Sequence, residues 1–232
     1  EIRGPEGTKV DIKVLRNNEE LVLTLTRGKV VIPSVTYKVI DSTNIGYIDI
    51  SVFAANTPSQ FEVAMDDLLD KGVKSVIIDV RGNSGGYLSS AERIASMFLK
   101  KNKTIYQLDT KGLIENVKTK EDGKYDLPVA VLIDNGSASA SEILAGALND
   151  NIDAVLVGMK TFGKGTVQKT KTLSSGAMIK YTIQEWYTPN GNKVNGVGIE
   201  PDYTIQLDEK YFSNPIEAND LQLQKAVELL KK

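Results

Sequence analysis

Three short apolar runs constrain this chain more than anything else in it. They are SVIIDV (75–80), PVAVLID (128–134) and DAVLVG (153–158). Each is too short for a buried helix, and none alternates polar with apolar as a half-exposed strand would. Runs of this kind read as strands covered on both faces.

Between them lie stretches with helical periodicity. In one, Phe61, Ala64, Met65, Leu68 and Leu69 form a single apolar stripe. Thr57 suits its N-cap, Pro58 its first turn, and Gln60 completes a capping box; Gly72 ends it. A second helix groups Ala91, Ile94, Ala95 and Phe98, and a third, over 140–149, groups Ile143, Leu144, Ala147 and Leu148. NIGYIDIS (44–51) is a further strand. Strand–helix–strand order with apolar strands predicts an α/β fold, a largely parallel sheet flanked by helices.

The flanks are less regular. Residues 9–27 alternate as two arms around Arg16-Asn17-Asn18-Glu19 and predict a β-hairpin. Residues 28–43 read as a connecting arm. Segments 166–171, 177–187 and 203–207 read as later, antiparallel strands. Leu223, Ala226, Val227 and Leu230 give a helical tail beyond 208.

Composition narrows the chemistry. Among 232 residues there is no Cys and no His. That removes disulfides, thiol nucleophiles, every His-based triad and the commonest metal ligand. A hydrolase built from this chain needs Lys, Asp, Glu or Tyr as its base. A net charge of −2 gives no pull toward nucleic acid. No apolar run approaches the ~18 residues of a membrane span. A start at Glu1 without a leader reads as a processed chain or an excised piece.

Sites in open α/β sheets lie beyond the carboxyl ends of the strands. Three loops leave such ends: RGNSGG (81–86), NGSASAS (135–141) and MKTFGKG (159–165). If the strands are parallel, the loops share one edge. The first can turn backbone N–H groups toward a ligand. The second sets Ser137, Ser139 and Ser141 at a helix start, where free amides favour an anion. The third carries Lys164 between glycines, and Lys164, Thr166 and Gln168 follow at a period of two. Each has a bland alternative. Ser139-x-x-Glu142 is also a helix cap, Lys164 alone is a solvated lysine, and glycines after a strand are ordinary turns. Their convergence in a chain without His makes Ser–Lys hydrolysis a serious candidate.

VIIDVRGNSGG (76–86), GSASASEILAGAL (136–148), TFGKGTVQ (161–168) and GVGIEPD (196–202) resemble the signature blocks of the carboxy-terminal processing, or tail-specific, peptidases, in the family's order. The resemblance implies a crotonase-like core over 44–207 and a serine endopeptidase that cleaves protein substrates near their C-termini through an acyl-enzyme. It implies Ser139 as nucleophile, Lys164 as base and Gln168 as the residue that holds the lysine. The backbone N–H groups of Ala140 and Gly85 would form the oxyanion hole. No cofactor, metal or nucleic acid is implied. The lysine must be neutral to act, so burial is expected to lower its pKa. Residues 1–28 resemble only the closing strands of a PDZ domain, 29–43 being the arm and 208–232 the tail. The family resemblance also implies an extracytoplasmic or membrane-associated full-length protein, with self-association left open. Two rivals remain: an idle binding protein on the same fold, and an acyl-CoA enzyme of the related crotonase fold.

Overall fold

The computed structural model describes residues 2–28 and 33–231. It divides into two units, Glu1–Ile32 and Pro33–Lys232. The first holds an antiparallel hairpin of β1 (Lys9–Arg16) and β2 (Glu19–Thr26), paired from Lys9↔Thr26 to Arg16↔Glu19. Asn17 and Asn18 close it with φ of 53° and 62°, the left-handed pair that a two-residue hairpin turn requires. The expected hairpin is therefore present. Leu15, Val22 and Leu25 stay exposed on it.

The second unit follows as β3 (Val35–Val39), β4 (Ile45–Ile50), α1 (Thr57–Asp70), β5 (Ser75–Asp79), α2 (Leu88–Ser96), β6 (Thr104–Thr110), β7 (Leu113–Lys118), β8 (Val129–Ile133), α3 (Ala140–Ile152), β9 (Val155–Gly158), β10 (Thr166–Thr172), β11 (Met178–Tyr187), β12 (Tyr203–Thr204), the short α4 (Glu209–Ser213) and α5 (Leu221–Leu230). Six strands form the main sheet, in the order β12-β9-β8-β5-β4-β3. All its neighbours pair in parallel except β3 with β4.

Both faces of this sheet are covered, which is why its central strands read as unbroken apolar runs. Side chains alternate across the sheet by the period of two. Val76, Ile78, Val131 and Ile133 pack with Phe61, Met65 and Leu68 of α1, Ile94 of α2 and Leu144 of α3. Ile77, Ala130, Leu132 and Val157 pack with Leu223 and Ala226 of α5. Each fully buried Ile or Leu contributes roughly 1.5–3 kcal/mol. The C-terminal helix is thus half of the sheet's cover.

Four expectations need correction. The arm over 29–43 contains a strand, β3, whose partly exposed VTYKV lacks a clear apolar signal; positions 29–32 lie outside the described residues. The capping box at Thr57 does not form, because Asn56 is the N-cap. Thr57 instead accepts from Ala54 N–H and bonds the Ser34 hydroxyl, while Gln60 accepts from Ser34 N–H. Phe98 lies past the end of α2. β12 is parallel to β9, not antiparallel.

The remaining strands make a second, antiparallel sheet in the order β10-β11-β6-β7. Its link to the site is Trp186, which is 2% exposed. Trp186 packs edge-on against Tyr106 and donates its indole N–H to Lys164 C=O at 3.0 Å.

Candidate active site

Because β5, β8 and β9 are adjacent and parallel, the loops 81–86, 135–141 and 159–165 leave one edge of the sheet together. Hydrogen bonds fasten them to each other. Ala138 N–H and the Ser141 hydroxyl both donate to Asn83 C=O, at 3.0 and 2.7 Å. Asp134 Oδ1 accepts from the N–H groups of Gly82 and Gly136. Phe162 N–H donates to Ser137 C=O.

The three serines separate by environment. Ser137 is buried and bonds Val80 C=O at 2.8 Å. Ser141 is buried on Asn83 C=O. Both are fasteners. Ser139 alone is half-exposed, and its backbone sits at φ 55° and ψ −111°. A side chain in that region is strained, and such strain gathers where a reactive group is held on a sharp strand-to-helix turn. Ala140 opens α3, so its N–H lacks a helical acceptor and lies at the positive end of the helix dipole.

Gly85 faces this turn. A Cβ at Gly85 would lie 2.8 Å from Ala138 O, 3.0 Å from Ser139 Cβ and 3.2 Å from Ala140 N, so only glycine lets the two loops close. Its N–H, however, donates to Asn83 Oδ1 at 2.8 Å. The expected free Gly85 donor is therefore occupied in this arrangement. Asn83 is 1% exposed and also donates to Ile50 C=O. The sequence hides this bond, because Asn after Gly looks like any turn residue.

Lys164 has its backbone fixed on both sides, with its N–H on Glu142 Oε2 at 2.9 Å and its C=O on Trp186. Gly165 beside it is pressed against Asn195. The Lys164 side chain, though, is exposed. The expected burial of this side chain is not observed. Gln168 is exposed on β10 and makes no side-chain hydrogen bond among the described residues, so the structure does not join it to Lys164. The pairing register shifts between Val167 and Gln168.

Two groups were not foreseen as parts of the site. Glu142 is wholly buried and takes hydrogen bonds from both the Ser139 and Lys164 loops. Arg81, the first residue of the glycine loop, is pinned by Asp79 and Asp220. Burial works against its charge, but the bonds to Asp79 and Asp220 outweigh that and hold it protonated. No cluster of three or more His, Cys, Asp or Glu suited to a metal occurs among the described residues.

The profile of Peptidase family S41 matches residues 44–205. The chain belongs to this family. It is 39% identical over 207 residues to a probable CtpA-like serine protease of Staphylococcus haemolyticus, covering 88% of this chain and 41% of that protein. A probable CtpA-like serine protease of Staphylococcus aureus is 38% identical over 216 residues, covering 92% of this chain and 43% of its own length. The chain thus spans about two fifths of the length of these relatives. Among solved structures, the photosystem II D1 C-terminal processing protease superposes with a TM-score of 0.68 at 28% identity, over 88% of this chain and 57% of that one. A protein of Bacteroides fragilis described as a putative S41 protease shares the fold, with a TM-score of 0.71 at 19% identity, over 96% of this chain and 66% of that one. The S41 membership agrees with the expected α/β core and favours a peptidase over an acyl-CoA enzyme of the related fold.

Proposed function

We propose that this chain is the catalytic core of a serine endopeptidase of the carboxy-terminal processing type, acting on extended protein segments by a Ser139–Lys164 dyad. The observation that carries the reading is the sorting of the three serines. Two are buried as fasteners, and the third is half-exposed on a strained turn at the start of α3, beside Ala140 N–H.

Ser139 Oγ attacks the peptide carbonyl carbon while its proton passes to Lys164 Nζ. The carbonyl oxygen gains the charge and turns to Ala140 N–H. A second donor at Gly85 requires Asn83 to release it. Lys164 then returns the proton to the departing amine, leaving an ester on Ser139. Water attacks that ester, losing a proton to Lys164, which passes it to Ser139 Oγ as the ester C–O bond breaks and the acid product leaves. A charged lysine cannot do this. The exposed Lys164 therefore needs a cover, and a peptide laid over the loops supplies it by excluding water. Gln168, beyond Lys164 on β10, is assigned to steer the amine once the site is filled. The N-terminal hairpin is assigned to the end of a PDZ domain.

The test is digestion of an unstructured protein such as casein by the 232-residue chain. The reading expects cleavage that Ser139→Ala abolishes while its fold persists. Wild-type cleavage by Ser139→Ala would overturn it.

A further inference from the structure

A glutamate three residues after an N-cap serine needs only one partner, the N-cap amide. Glu142 has four. Its Oε2 accepts from Ser139 N–H at 2.8 Å and from Lys164 N–H at 2.9 Å. Its Oε1 accepts from the Thr161 hydroxyl at 2.6 Å and from Gly163 N–H at 2.7 Å. Three of the four donors come from the loop after β9, not from the helix that Glu142 caps. The side chain is 0% exposed. A carboxylate without water is costly unless its lone pairs are filled, and here four donors and the N-terminus of α3 fill them.

We propose that Glu142 is a positioning residue for the peptidase reaction, a clasp that holds the nucleophile loop and the base loop in fixed register. The proposal rests on the Ser139–Lys164 reading above. One oxygen atom fixes the backbone N–H of both residues, which lie on the loops after β8 and β9, 25 positions apart in the chain. Ser139 stands in strained backbone, and strain persists only where several contacts determine it. The bond from Ser139 N–H to Glu142 and the one from Ile143 N–H to Ser139 C=O are those contacts. Thr161 extends the clasp, because its hydroxyl also accepts from Ile199 N–H at 2.7 Å.

Glu142→Gln tests this with little change of shape. An amide has one acceptor oxygen, and its NH2 then faces N–H or O–H donors. It keeps one pair of bonds and loses the other. The clasp predicts a fall in kcat of about 10²-fold, the scale of a ~1 Å misplacement, with KM within about twofold. Fluorophosphonate labelling of Ser139, which needs the dyad but no peptide binding, should slow in parallel. Thr161→Val removes one donor without touching the dyad and should lower kcat about tenfold, with Thr161→Ser restoring most of the loss.

A folded Glu142→Gln with wild-type kcat and labelling rate would overturn the proposal. If Glu142→Gln does not fold, the threonine pair decides. A folded Thr161→Val with wild-type kcat overturns it, and a loss that Thr161→Ser repairs supports it. Ser139→Ala in parallel separates this from failure of the dyad itself, since activity in that variant removes the dyad whatever Glu142 does.

Discussion

Arg81 and Asp220 meet as a two-pronged ion pair, with Nη2–Oδ2 at 2.8 Å and Nη1–Oδ1 at 3.1 Å, across 139 positions of sequence. Arg81 leads directly into the glycine loop that faces Ser139. Asp220 also caps α5, accepting from Leu223 N–H. The pair therefore ties the C-terminal helix to the edge of the site. Both side chains are largely buried, 12% and 5% exposed. Breaking a buried pair leaves a charge uncompensated and costs about 3–5 kcal/mol. Asp79 remains on Arg81, so Asp220→Asn should lose about 3 kcal/mol, near the lower end. Urea unfolding followed by the fluorescence of Trp186, the sole tryptophan, measures it. A change under about 0.5 kcal/mol, as for a surface pair, would contradict the strut.

Asp49 lies on β4 directly opposite Asp79 of β5. Burial, then the charge of Asp79, push its carboxyl up to about 6, while Arg81 partly offsets them. The folded pKa is above the unfolded one, so the folded state holds the extra proton. Its contribution to stability is present below the unfolded value near 4 and is lost as pH rises through about 6. Asp49→Asn should therefore raise Tm relative to wild type more at pH 8 than at pH 4.5. An equal shift at both values would show that Asp49 titrates normally.

The glycine opposite Ser139 has no room for a methyl group. Gly85 has φ of 103°, and an added Cβ would press on Ala138 O and Ser139 Cβ. Gly85→Ala should lose about 1–3 kcal/mol of stability from backbone strain alone and most of its activity. Gly82→Ala, with φ of 66° but open space around it, should lose far less activity. Paired kcat and Tm measurements distinguish the two.

Lys164→Arg keeps the charge and much of the length, but a guanidinium cannot be deprotonated. The dyad predicts that Lys164→Arg is as inactive as Lys164→Ala and that both keep the wild-type fold, since the side chain is exposed. Turnover of a fluorogenic peptide checks it. Substantial activity in Lys164→Arg would remove lysine as the base.

The parallel core was legible because its strands are buried on both faces, so apolar runs such as VIIDV carry no competing signal. That also placed three loops at one edge. Less could be read where tertiary partners decide. Thr57 looks like a cap, yet Ser34 from a distant segment claims its hydroxyl. β6 and β7 mix polar with apolar residues and are strands because β11 and one another pair with them. Ser139, Ala140 and Lys164 were singled out from their blocks, and the structure brings the loops that carry them to one edge of the sheet. The work of Glu142 was not, because a capping motif shows the helix it begins and not the loop that arrives from β9. The exposure of Lys164 was missed too, since glycine neighbours report how closely backbone packs and not where the side chain goes.

The most direct test of the account is the site of covalent capture by a fluorophosphonate. The 232-residue chain is incubated with the probe, digested, and the modified peptide identified by mass. The account predicts a single adduct on Ser139, absent in Ser139→Ala and strongly slowed in Lys164→Ala, with Ser137 and Ser141 unmodified. Labelling of Ser137 or Ser141, or an undiminished rate on Ser139 without Lys164, would contradict it.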